Sequence, residues 1–250
     1  MRPSRLGRLP SNSPVSTPGV ILVAHGSRDP RAAAATTALA SAVAAAHPSW
    51  AVHASYLDHA GPRPLDVLRR LSRSGCRQAV VVPLLLTAAY HGKVDIPAVL
   101  DEAASLDLDV ALTDVLGPVS DLLVDGLVRR LPSTELDAVV LAAAGTRDAA
   151  ARTTVADAAD ALGARLGLPS AVAYASAAPP TAGEAVRSLP GRVGVASYFL
   201  APGLLYDKAV ESALEAGAVA VAPPLTDAPE VVSLIEGRVR AALNVGLLAA

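Results

Sequence analysis

Three side chains able to hold a divalent metal ion stand just beyond apolar runs of this chain. His25 follows Val20-Ile21-Leu22-Val23-Ala24 and opens the turn His25-Gly26-Ser27-Arg28-Asp29-Pro30. Asp58 ends the apolar run at Tyr56-Leu57-Asp58-His59, and His91 lies in Tyr90-His91-Gly92-Lys93-Val94-Asp95-Ile96-Pro97. Neutral imidazole nitrogen suits first-row transition ions, and a carboxylate adds an oxygen donor. Two histidines and one carboxylate leave coordination positions open, so an ion held this way can also be released. A histidine can equally carry a proton near neutral pH. Blander readings stand beside this one. His25 could satisfy a backbone group in a tight turn, Asp58 could cap the turn after its strand, and His25 and His91 could occupy unrelated loops. His59 is a weaker neighbour of the set. His47, ahead of Pro48, and His53, inside a strand, read as structural or surface residues.

For these residues to meet, the elements that carry them must end at one edge. Short apolar runs are expected as strands over residues 20–24, 51–57, 79–86 and 110–113. Between them the pattern reads as helices near 31–46, 64–74, 96–105 and 119–131, with Asp29 as an N-cap and Pro30 in the first turn. Asp95 reads as a second N-cap. Apolar strands alternating with helices imply a parallel sheet covered on both faces, and right-handed crossovers bring the strand-to-helix loops to one edge. In a doubly wound sheet the first and third strands can be neighbours, which would set His25 and His91 over one cleft.

The second half repeats the scheme, with strands over 138–142, 171–175, 193–199 and 218–221 and helices near 149–166, 183–188, 204–215 and 230–243. Leu22-Val23-Ala24-His25-Gly26-Ser27-Arg28-Asp29 is echoed by Leu141-Ala142-Ala143-Ala144-Gly145-Thr146-Arg147-Asp148. The stretch from Leu84 to His91 has its counterpart from Tyr198 to Leu205, again without the histidine. A period this long indicates duplicated domains rather than a solenoid. The expected fold is therefore α/β, with two similar doubly wound parallel-sheet lobes over 19–133 and 134–250 and a cleft between them. Both histidines belong to the first lobe, which points to function and not folding as their reason.

Composition narrows the field. The formal charge of −2 argues against nucleic acid or an anionic membrane as the main partner, and no run of apolar residues is long enough to span a bilayer. A single cysteine, Cys76, excludes a disulfide framework and a multi-cysteine metal site. Residues 1–18, with Arg2, Arg5 and Arg8 and no acid, read as a disordered extension, and the setting fits the cytoplasm. Arg28, Lys93, Arg147 and Lys208 fall in loops expected to border the cleft, where cations can pair with substrate carboxylates. There is no phosphate-binding Gly-x-x-x-x-Gly-Lys-Ser/Thr loop and no Gly-x-Ser-x-Gly elbow.

Taken together, the His25-Gly26-Ser27-Arg28-Asp29-Pro30 turn, Tyr56-Leu57-Asp58, and Pro83-Leu84-Leu85-Leu86 followed by His91 and Asp95-Ile96-Pro97 resemble the sirohydrochlorin chelatases in their long two-lobed form. The resemblance implies ATP-independent insertion of Fe2+ or Co2+ into the tetrapyrrole sirohydrochlorin, in siroheme or cobalamin biosynthesis. It implies a chelatase-like bilobal fold with the macrocycle between the lobes and no organic cofactor, the metal being a substrate. The family's two metal histidines map onto His25 and His91, which are also the catalytic candidates. Asp58 stands where the family often has glutamate, and Ala88-Ala89-Tyr90 where it often has a glycine before the second histidine. Ser27, Arg28, Tyr90, Lys93 and Arg147 are the expected substrate contacts, with no nucleic-acid or membrane partner and a monomer as the expected state. Two other functions compete: a tetrapyrrole or metal carrier without catalysis, and a histidine-type phosphatase, which would carry arginine where Ala24 precedes His25.

Overall fold

The computed structural model describes residues 17–87 and 95–248. In the first half, β1 (Gly19–Ala24), β2 (Ala51–Tyr56), β3 (Gln78–Pro83) and β4 (Asp109–Leu112) form a parallel sheet of order β2-β1-β3-β4. In the second, β5 (Ala138–Ala143), β6 (Ser170–Tyr174), β7 (Val193–Tyr198) and β8 (Ala220–Val221) repeat that order as β6-β5-β7-β8. The expected adjacency of first and third strands holds in both lobes, and β1 pairs with β3 from Gly19↔Ala79 to Val23↔Pro83. The third strand is shorter than the sequence suggests. It stops at Pro83, which has no amide hydrogen to offer, although Leu84 N–H still donates to the Val23 carbonyl.

The helices are α1 (Pro30–Ala46), α2 (Pro64–Arg73), α3 (Asp95–Ala103), α4 (Asp121–Arg130), α5 (Ala149–Leu166), α6 (Ala182–Ser188), α7 (Leu204–Glu215) and α8 (Pro229–Leu248). Their starts follow from side-chain chemistry. Asp29, Ser120 and Asp148 accept backbone N–H bonds as N-caps, and Thr181 with Glu184 forms a capping box. The fourth helix starts at Asp121 rather than 119, because Ser120 takes the cap. Thr17 and Pro18, at the end of the expected extension, are already tied down: Ala51 N–H donates to the Pro18 carbonyl and the Cys76 thiol to that of Thr17. The last helix continues past residue 243 to Leu248.

Strand alternation assigns each sheet two cores. Val20 and Leu22 of β1 join Val139 and Leu141 of β5 in one cluster that runs through both lobes. Ile21 and Val23 turn the other way, onto Val67 and Leu68 of α2, as Val140 and Ala142 turn onto Ala185 and Val186 of α6. The shared cluster is completed by an exchange of helices. α4, at the end of the first half, packs on β7 and α5, while α8 returns to cover α1, β3 and β4. Arg129 meets Glu230 at 2.8 Å, Arg130 meets Asp227 at 2.9 Å, and His47 lies 3.2 Å from Glu236 along these crossings. Among the described residues no helix is long and apolar enough to cross a membrane.

Candidate active site

The site grows from the way β1 and β2 continue to pair beyond their ends. Leu57 N–H donates to the Ala24 carbonyl at 3.0 Å, and Asp58 N–H to that of His25 at 2.8 Å. The ladder thereby brings the His25 and Asp58 backbones side by side. Gly26 makes this possible. Its φ is +95°, and a Cβ there would stand 1.8 Å from the Asp58 carbonyl oxygen. The chain then turns into α1 through Ser27, whose hydroxyl accepts from Asp29 N–H at 3.0 Å, and through the Asp29 cap.

His25 and His59 are perpendicular neighbours with ring centroids 6.4 Å apart. His59 N–H donates to Asp58 Oδ1 at 2.8 Å, and its Nε2 lies 3.5 Å from Oδ2. That backbone bond, with the positive charge of Arg63 and the imidazoles of His59 and His25 nearby, holds the Asp58 carboxyl below the usual carboxylate range. Asp58 is thus an ionised acceptor, and it does cap the turn after its strand. Among the described residues, no group of three histidine, cysteine or acidic side chains converges to hold an ion. Tyr90, His91 and Lys93 lie outside the described residues.

His25 and His59 face a cavity of about 650 Å³ between the lobes. On one wall are His25, Ser27, Arg28 and His59; on the other are Ala144, Phe199, Leu204 and Leu205. Leu204 is 79 % exposed, so the second lobe offers an apolar shelf opposite the histidines. A smaller pocket of about 170 Å³ opens behind His25, between Thr36, Tyr56 and Leu84 of one lobe and Leu200 of the other. Arg147 does not line the large cavity. It is exposed ahead of α5, and its carbonyl accepts from Arg152 Nη1 at 2.9 Å.

Residues 19–134 and 138–242 both match the sequence profile of CbiX. The chain belongs to the CbiX family. This chain carries the profile twice, in agreement with the two sheets of equal order. A sirohydrochlorin cobaltochelatase of Methanococcoides burtonii is 27% identical over 82 residues, which is 33% of this chain and 63% of that protein. The chain therefore spans 63% of the length of that curated relative. SirB from Bacillus subtilis with Fe3+ superposes with a TM-score of 0.78 at 22% identity, over 92% of this chain and 97% of that one. The sirohydrochlorin chelatase SirB from Bacillus subtilis subspecies spizizenii in complex with cobalt gives 0.77 at 23% identity, over 91% and 96%. At that identity the two structures establish the shared two-lobed fold.

Two features of the cavity escape a reading of the CbiX repeat by its strongest motifs. His59 stands with its ring centroid 6.4 Å from that of His25, yet carries no motif of its own. Its signal lies in the repeat: Tyr56-Leu57-Asp58-His59 aligns with Tyr174-Ala175-Ser176-Ala177 through the strand registers Ala24↔Tyr56 and Ala143↔Tyr174. The apolar shelf at Leu204 and Leu205 is the other. It aligns with Tyr90-His91 and can be found only by asking what replaced them.

Proposed function

We propose that this chain inserts a divalent metal ion, Fe2+ or Co2+, into sirohydrochlorin without nucleotide hydrolysis. The observation that carries the reading is the interlobe cavity, with imidazoles on one wall and an apolar shelf on the facing one. A flat macrocycle needs an apolar surface for its face and a metal donor near its centre. Insertion replaces two pyrrole N–H bonds by bonds from the deprotonated nitrogens to the ion, and two protons leave. His25 and His91 share metal delivery and proton removal, since a neutral imidazole nitrogen can do either. Asp58, held ionised, assists by taking up protons or steadying the incoming ion, and His59 stands beside it. Ser27 and Arg28 line the cavity and meet substrate carboxylates, with Tyr90 and Lys93 assigned the same task from their motif; Arg147, exposed and outside the cavity's lining, is the weakest of the five contacts. A monomer in the cytoplasm, with no organic cofactor, completes the reading.

The test is an insertion assay with ferrous, cobaltous and nickel ions on sirohydrochlorin and no nucleotide. A time-dependent absorbance shift is expected, lost in His25→Ala and His91→Ala proteins that keep their circular dichroism. A chain that binds both ligands but produces no shift with any ion is a carrier, and the proposal fails.

A further inference from the structure

Arg31 of α1 and Asp207 of α7 meet across the mouth of the interlobe cavity. Arg31 Nε lies 3.1 Å from both Asp29 oxygens and its Nη2 2.5 Å from Asp29 Oδ2. The same guanidinium donates from Nη1 and Nη2 to Asp207 at 3.3 and 2.5 Å. One cation thus serves two carboxylates, one from each lobe.

The two contacts are anchored differently. Asp29 caps α1, accepts the Arg31 backbone N–H at 2.9 Å, and stays with Arg31 however the lobes move. Asp207 is 176 positions away and remains only while the lobes hold their spacing. The Arg31 and Asp207 side chains are 52% and 45% exposed, so water screens the contact and it does little to bind the lobes together. Asp29, Asp207 and Arg28 all line the cavity. Arg28 and Arg31 are balanced there by Asp29 and Asp207. Among the described residues, imidazoles aside, such a mouth carries no surplus of cations and suits a polyanion poorly unless one of its acids can be displaced.

We propose that Arg31 is a receptor for a carboxylate of the tetrapyrrole, and that Asp207 occupies it until the substrate arrives. The inference rests on the polycarboxylate substrate of the proposed function. In the exchange no covalent bond changes. Arg31 keeps Asp29, the incoming carboxylate takes the outer edge of the guanidinium, and Asp207 passes to water. The replacement is one charge-assisted pair for another, so it selects for substrates that carry an ionised carboxylate at the rim.

The experiment is a titration of metal-free sirohydrochlorin into the full chain, followed by its fluorescence, with Asp207→Asn, Arg31→Gln and the double variant. Asp207→Asn is expected to tighten Kd about threefold, because a screened competitor has been removed. Arg31→Gln weakens it roughly tenfold through loss of a charge-assisted pair. In the Arg31→Gln background, the Asp207 substitution then changes nothing. A pair that merely held the lobes in place gives the opposite sign for Asp207→Asn, and that result overturns the proposal. So does a gain that persists without Arg31. Binding needs no turnover, so the two readings separate: these signs without metal insertion keep the receptor and remove the chelatase. Normal insertion with unchanged Kd in both single variants does the reverse, and no binding by any of the four proteins removes both.

Discussion

At the end of β1, Gly26 at φ +95° leaves room for the Asp58 carbonyl; at the end of β5, Gly145 at the same angle leaves room for that of Ser176. The likeness continues residue by residue. Ser27 and Thr146 accept from the N–H of the following cap, Asp29 and Asp148. Tyr56 and Tyr174 donate their hydroxyls to carbonyls of the helix that follows the first strand, those of Ala33 and Arg152. His59 and Ala177 both hold positive φ, at 57° and 66°. Yet the side chains at these shared positions diverge. Lobe one has His25, Asp58 and His59; lobe two has Ala144, Ser176 and Ala177. The comparison separates fold from chemistry. The left-handed backbone at His59 is a requirement of the turn, since an alanine adopts it equally, whereas the imidazole and the carboxylate are requirements of something else.

The sharpest way to break this comparison is to move the histidine across the cavity. His25→Ala is expected to slow metal insertion by at least about 100-fold, and Ala144→His added to it should not restore the rate. The transplanted ring would face Ser176 and Ala177, with no carboxylate beside it. Recovery in the absorbance assay would show that the two walls are interchangeable.

Glycine tests the shared part. Gly26→Ala and Gly145→Ala each force a Cβ into a carbonyl, and each should cost about 2–4 kcal/mol in urea unfolding. A markedly unequal cost would mean that the turns are not equivalent. Insertion should be lost only in Gly26→Ala, among protein that remains folded.

His59→Ala makes the first turn resemble the second. Stability should hardly change, because Ala177 already sits in this conformation, while insertion falls about tenfold through the loss of a neighbour to His25, the proposed metal-handling group. An unchanged rate would return His59 to the surface.

The smallest effect concerns His53, which pairs with Ile21 as Ala171 pairs with Val140. Burial, and to a lesser degree Arg70, hold the His53 pKa below its ordinary value. As pH falls through ~6.5 the unfolded chain therefore takes up the proton first, and stability declines. His53→Ala should flatten the slope of unfolding free energy between about pH 7 and pH 5, as urea titrations at several pH values would show. A slope left unchanged would mean that His53 titrates alike in both states.

Much of this was legible from residues alone, and for local reasons. The β1 run, the Asp29 cap and the matching Asp148 cap act over a few positions, so their types announce them. The repeat itself follows from aligned glycines and caps. The third strand is shorter than its apolar run, because apolar residues continue through Leu86 while the strand ends at Pro83. His59 carries no local signal, because a histidine in a turn looks alike whether it faces solvent or another imidazole.

Sequence by itself therefore determined the alternation of strands and helices, the duplication, and the placement of His25 and Asp58 at strand ends. Only the tertiary structure decided which surfaces meet. Periodicity says that one face of α4 and one of α8 are buried, but not that each is buried against the other lobe's sheet. Nor can it say that Arg31 reaches Asp207 across 176 residues, because that distance depends on the crossing of two whole lobes and not on any local preference of the chain.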